Sequence, residues 1–175
     1  GLAKINLHPD DWRDPTDRAR YLNDLSPEVI AGDPISFAEL LTLPLDVRPA
    51  ALISVSMALH AGLRTRLEAR FACPVLDVYS LNEVGPVGVW DANEGGHVLL
   101  QPRLYVETLD TDGRNVGPGE RGEITVTGGF NFCLPLLRYR TGDFGVLAQG
   151  SDGPVIRDLV TDVSWNYRVK QGIKK

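Results

Sequence analysis

The chain has few of the residues that hold metals or cross-links: two cysteines, Cys73 and Cys133, and three histidines in 175 residues. None falls at ligand spacing to another Cys, His or carboxylate, which removes the signal for a zinc-type cluster. Each cysteine sits inside an apolar segment, so both read as buried free thiols of a reducing compartment rather than a disulfide. No stretch approaches the ~20 apolar residues of a membrane span, and the N-terminus lacks the charged-then-apolar pattern of a secretory signal. Positive charge is in deficit, with 18 Lys and Arg against 23 Asp and Glu, and the net −5 argues against a protein that neutralises nucleic-acid phosphates. Aromatics are sparse at 7% and do not single out an aryl ligand over an alkyl one. The 43% apolar and 23% charged residues are those of an ordinary globular protein, expected in the cytoplasm.

The pattern along the chain divides it. The first thirty residues, rich in Asp, Arg and Pro, predict turns and short helices over the surface. Ser36-Phe37-Ala38-Glu39 has capping-box spacing and predicts a helix over 37–43, stopped by Pro44. Residues 50–55 read as a buried strand. Leu59, Leu63, Leu67 and Phe71 repeat every four residues in an amphipathic helix over 57–70, and another apolar strand follows at 74–79. Alternation of helix and strand implies a partial parallel α/β layer. Beyond it come short strands at 98–100, 104–109, 122–127 and 136–139, separated by turn signals such as Asp112-Gly113 and Gly117-Pro118-Gly119. The fold class expected is α/β, with the parallel layer followed by a mostly antiparallel, distorted barrel-like β subdomain. The divisions are 1–94, 95–160 and a tail from 161 to 175. The chain starts at Gly1 without a Met and reads as a piece of something larger.

Two polar clusters close apolar runs. Cys133-Leu134-Pro135-Leu136-Leu137 reads as a buried strand leading into Arg138-Tyr139-Arg140-Thr141-Gly142-Asp143. The Thr-Gly-Asp turn supplies a hydroxyl and a carboxylate, with a Gly that lets a ligand approach the backbone. An ionised Asp143 there can accept both hydroxyls of a ribose. Upstream, Tyr79-Ser80-Leu81-Asn82-Glu83 ends the strand at 74–79. Two such clusters suggest one nucleotide site built from loops. Arg138 and Arg140 alternate along a strand and share a face, where pairing with Glu107, Glu123 or Asp143 competes with substrate contact. Trp12, Trp90 and Trp165 read as core or lobe-interface residues.

These residues resemble the adenylate-forming superfamily of acyl-CoA synthetases, and within it the phenylacetate–CoA ligase-like branch. Tyr79-Ser80-Leu81-Asn82-Glu83 is similar to its Tyr-Gly-x-Thr-Glu motif. Arg121-Gly122-Glu123-Ile124-Thr125-Val126-Thr127 is similar to its Gly-Glu strand, and Leu134-Pro135-Leu136-Leu137-Arg138-Tyr139-Arg140-Thr141-Gly142-Asp143 to the Pro-Leu-(Ile/Leu)-Arg-Tyr-x-Thr-Gly-Asp motif. The resemblance implies a portion of an ATP-dependent ligase that joins a small carboxylic acid to CoA or another thiol through an acyl-adenylate. By position, Asp143 would hold the ribose, Tyr79 would stack on adenine, and Ser54, Ser80 and Asn82 would line the nucleotide. Glu83 would act in catalysis by holding Mg²⁺ beside the phosphates of ATP, and Gly85 and His97 would border the acyl pocket. A hard oxygen donor such as Glu83 suits Mg²⁺.

Departures from the pattern are specific. Asn82 replaces a Thr. Nothing in residues 1–49 resembles the Gly/Ser/Thr-rich phosphate loop, and the C-terminal lid is missing. Asp158-Leu159-Val160-Thr161-Asp162 keeps the first Asp of the hinge motif but replaces its Gly and Arg. The expectation is a chain inactive alone, with exposed apolar surface that favours a homodimer or aggregation. Two other readings stand beside it: an acyl-protein synthetase-type adenylating enzyme, and a non-catalytic scaffold that keeps the fold.

Overall fold

A computed structural model describes residues 1–129 and 133–161. The chain forms two compact units, Gly1–Asp77 and Val78–Lys175. Among the described residues, strand pairing is parallel in the first unit and antiparallel in the second, whose sheet does not close into a barrel.

The first unit contains α1 (Asp17–Leu25), β1 (Val29–Gly32), α2 (Pro34–Leu40), β2 (Ala51–Ser54), α3 (Ala61–Phe71) and the opening residues of β3 (Val75–Leu81). β1 and β3 flank β2 in parallel, with Leu52 opposite Val75 and Ser54 opposite Asp77. On β2 the buried positions alternate, Leu52 and Ser54 facing inward, as the two-residue period of a strand requires. Helical residues Ala19, Leu22, Phe37, Leu40, Leu67 and Phe71 complete this core.

The expected cap of α2 is corrected. The helix starts three residues earlier than 37, because Asp33 is the N-cap and accepts from the Ser36 N–H at 2.8 Å, with Pro34 in the first turn. A short carboxylate satisfies the orphan amide directly, and proline presets φ there. Glu39, freed of the capping role, pairs with Arg18. Helix α3 likewise begins at Ala61 rather than 57, where the imidazole of His60 accepts from the Gly62 N–H at 3.1 Å.

The second unit runs β3-β4-β5-β9-β8-β7-β6 in space, every pair antiparallel. Its strands are the end of β3, β4 (Gly85–Asp91), β5 (Gly96–Leu99), β6 (Leu104–Leu109), β7 (Arg121–Gly128), β8 (Tyr139–Gln149) and β9 (Pro154–Val160). Val87, Val106, Ile124, Val126 and Ile156 form its apolar centre. The Asp110 to Gly113 turn signal is used: the Gly113 N–H donates to Asp110 O and the chain doubles back, with Leu109 bridging Asn115.

Three further expectations are overturned. Residues 133–138 are no strand: Cys133 is exposed, and Leu137 retains 80% of its surface. Pro135 has no N–H to donate and Arg138 takes a left-handed φ of 47°, so the strand waits until Tyr139. Cys73 is buried and free as expected, but Cys133 is not buried. Trp90 is 38% exposed on β4 rather than in a core. Asp158 lies in β9 with a left-handed φ of 50°. Asp162, Trp165 and the basic tail lie outside the described residues.

Candidate functional site

All of the candidate residues from 79 onward belong to the second unit, and the antiparallel ladder explains how they approach one another. β3 turns into β4 through Asn82, Glu83 and Val84, with Leu81 opposite Gly85. Gly85 has φ +78°, a conformation that a side chain would strain, so the tight hairpin depends on it. Gln101 secures the same hairpin from outside, its Nε2 donating to Val84 O at 2.9 Å and to Pro86 O. Glu83 is therefore presented at the tip of a pinned turn, half-buried, with Asn82 exposed beside it.

Asp143 reaches the site through a bulge. Glu123 of β7 pairs with Phe144, yet Thr125 pairs with Arg140, so Ile124 alone faces Thr141, Gly142 and Asp143. The surplus length bends β8 locally. Thus the Thr-Gly-Asp segment sits inside a strand rather than in a turn after one. Gly142 takes φ +80°. Thr141 Oγ1 donates to Ile124 O at 2.8 Å and accepts from the Asp143 N–H at 3.0 Å. Glu123 Oε1 accepts from the Gly142 N–H at 3.1 Å, while its Oε2 accepts from Arg140 Nε at 2.6 Å. Side chains have replaced the missing ladder bonds, which fixes where the Asp143 carboxylate points.

Two tyrosines meet the two carboxylates. The Tyr79 hydroxyl donates to Asp143 Oδ2 at 2.7 Å, and the Tyr139 hydroxyl donates to Glu83 Oε1 at 2.9 Å. Burial first, then the Asp143 charge and hydrogen bond, push the Tyr79 phenol far above its ordinary value. Burial and the Glu83 contact push Tyr139 up to about 12. Both phenols are donors at neutral pH. His97, on β5 and buried, meets Tyr79 edge-on at 6.2 Å between ring centres and Trp90 at 5.5 Å. Ser80 is half-buried at the end of β3.

Ser54 ends β2 in the first unit, fully buried, and its Oγ has no hydrogen-bond partner among the described residues. Its register partner Asp77 has Arg64 at 3.6 Å, and burial raises the Asp77 carboxyl above its ordinary value against the pull of Arg64. Arg138 and Arg140 take the structural option: Arg138 grips Glu107 through Nε at 2.9 Å and Nη2 at 3.2 Å, and Arg140 holds Glu123.

Sequence reasoning missed two supports, Tyr139 and Gln101, and read Glu123 as a partner for arginine but not as the acceptor for the Gly142 N–H. Tyr139 and Glu123 lie inside quoted motifs, so a signal existed for them. Gln101 lies in a stretch with no motif, and nothing local marks it.

Among the described residues no group of three or more His, Cys, Asp and Glu is placed to cage a metal ion. The donor set at Glu83 still fits Mg²⁺, which keeps most of its water and binds through one or two carboxylates plus substrate phosphates. No helix among the described residues is long and apolar enough to cross a membrane.

No family model matches the chain. It is 26% identical over 154 residues to a phenylacetate-coenzyme A ligase of Pseudomonas putida, covering 80% of this chain and 34% of that protein. Over 94 residues it is 33% identical to the phenylacetate-coenzyme A ligase of Escherichia coli K12, covering 51% of this chain and 22% of that one. The chain therefore spans about a third or less of the curated relatives it matches. Among solved structures, a 2-hydroxyisobutyryl-CoA ligase in complex with 2-HIB-AMP and CoA aligns with TM-score 0.69 at 17% identity, covering 89% of this chain and 41% of that one. A benzoate CoA ligase from Burkholderia xenovorans LB400 aligns with TM-score 0.61 at 24% identity, covering 81% and 33%. In sequence the chain is thus similar to part of phenylacetate–CoA ligases, and it shares its fold with part of solved acyl-CoA ligases.

Proposed function

We propose that this chain is a portion of an ATP-dependent carboxylate–CoA ligase and carries the ribose side of its nucleotide site. The observation that carries the reading is the convergence of Tyr79 on Asp143 and of Tyr139 on Glu83, from motifs about sixty residues apart. Asp143 holds the ribose hydroxyls, and Tyr79, its ring buried in the apolar core of the second unit, fixes the carboxylate through its own hydroxyl. Ser80 and Asn82 flank the phosphates. Gly85 and His97 border the acyl group. Segments 1–94 and 95–160 are read as successive lobes of one adenylation domain.

A carboxylate that attacks the α-phosphorus needs charge neutralisation more than covalent help. Glu83 is the group that would hold Mg²⁺, which supplies that neutralisation when bound. CoA is the acceptor that the relatives favour, the acid is a small carboxylic acid, and a soluble cytoplasmic setting fits such substrates.

The test is calorimetric titration of ATP and a non-hydrolysable acyl-adenylate analogue into the chain and into Asp143→Ala. Binding that falls at least about a hundredfold in the variant is expected, since both ribose hydroxyls lose a charged acceptor. Equal affinity in the two proteins would sink the reading.

A further inference from the structure

The Tyr139–Glu83 contact has no counterpart in the site as assembled from the motifs, where Tyr139 was given no role. Its geometry is selective. Tyr139 opens β8 immediately before the bulge that carries Asp143, and its neighbour Arg138 is anchored by Glu107 and by Gly113 O at 3.1 Å. The ring itself packs against the apolar centre of the second unit. The phenol is thereby built on a rigid strand. Glu83, by contrast, rides on a three-residue turn and has three torsions to fix. Only one of its oxygens is engaged: Oε1 accepts from Tyr139, and no other donor among the described residues reaches the carboxylate. Among the described residues no Lys or Arg pairs with it, unlike Glu107 and Glu123.

A neutral donor and a cation do different things to a carboxylate. Arginine would neutralise Glu83 and compete with a metal for it. A phenol orients the group and leaves its charge in place. Loss of side-chain freedom is then prepaid by the fold rather than by the ligand.

We propose that Tyr139 is the positioning residue for Glu83: its hydroxyl holds one carboxylate oxygen so that the other faces a divalent cation bound with the nucleotide phosphates. The inference rests on the nucleotide reading above. Tyr139 touches neither cation nor nucleotide in this scheme and acts through Glu83 alone.

The experiment compares wild type, Tyr139→Phe, Glu83→Gln and the double variant, each titrated with ATP in excess Mg²⁺ and again with EDTA. Tyr139→Phe keeps the packed ring and removes only the hydroxyl. It is expected to weaken Mg²⁺–ATP binding about tenfold, the size of one hydrogen bond to a charged group, and to leave metal-free ATP binding unchanged. The double variant should bind no more weakly than Glu83→Gln, because the two residues form one unit. A loss that is the same with and without Mg²⁺, or singles that add in the double variant, would overturn the proposal. If Glu83→Gln keeps the full Mg²⁺ benefit, the metal role of Glu83 fails and the inference with it. If Glu83→Gln loses that benefit and Tyr139→Phe does not, the inference alone fails. An independent measurement needs no nucleotide. In protein carrying isotope-labelled tyrosine, the Cζ resonance of Tyr139, assigned from Tyr139→Phe, should shift in Glu83→Gln, and an unmoved resonance would refute the contact.

Discussion

The two units of this chain bury different chemistry. In the first, the interior is carbon from Phe37, Leu40, Leu52, Leu67 and Phe71, and the buried polar groups are Arg18, Ser54 and Asp77. In the second, His97, Gln101, Glu107, Thr108, Thr125 and Asp143 are buried alongside aliphatics such as Val87, Ile124, Val126 and Ile156. Burying a charge is costly unless it is paired or hydrogen-bonded, and the second unit answers that cost within itself. Arg138 serves Glu107, and Tyr79 serves Asp143. Hydrophobic burial dominates the first unit and polar pre-organisation marks the second, which is where a site for a charged ligand belongs.

Core truncation should show the largest effect and tests the first half of this contrast. Phe37 is 1% exposed, and Phe37→Ala is expected to cost about 3–5 kcal/mol in urea denaturation. A loss below about 1 kcal/mol would mean that the apolar cluster is not what stabilises the first unit.

A smaller effect separates the two kinds of buried carboxylate. Burial raises the Asp77 carboxyl above 3.8, so the folded chain holds this proton to higher pH than the unfolded chain does. Stability should therefore fall as pH rises from about 3.8 through the folded-state value, then level off. Asp77→Asn should remove that part of the slope in urea midpoints collected across the acid range. An unchanged slope would show that Arg64 offsets the desolvation in full.

The smallest change is expected at Ser54. Its buried, unpartnered hydroxyl costs desolvation without return, so Ser54→Ala should leave stability within about 1 kcal/mol of wild type, or raise it. A variant that melts well below wild type would show that Ser54 is structural.

Much of the second unit was legible. The 104–109 strand coincides with β6, and 122–127 falls within β7, because alternation and flanking turn residues are local signals. The Glu83 and Asp143 motifs were visible for the same reason. Strands β1 and β4 were not, being short or glycine-containing runs whose identity comes from a neighbouring strand, and β9, a seven-residue run opened by Pro154, was not read either. The apolar run before Arg138 misled because hydrophobicity signals burial only where the backbone can join a ladder, and Pro135 has no N–H to donate there.

The sequence by itself determined composition class, the order of the α/β and β segments, and which polar side chains are candidates for a nucleotide site. Only the tertiary structure decided how they are held. The bulge that turns Asp143 toward Tyr79, the grip of Gln101 on the Glu83 hairpin and the pairing of Tyr139 with Glu83 join residues far apart in the chain. Such contacts arise from strand register and bulge position, which are set by packing across the sheet and leave no periodic trace in the residues themselves.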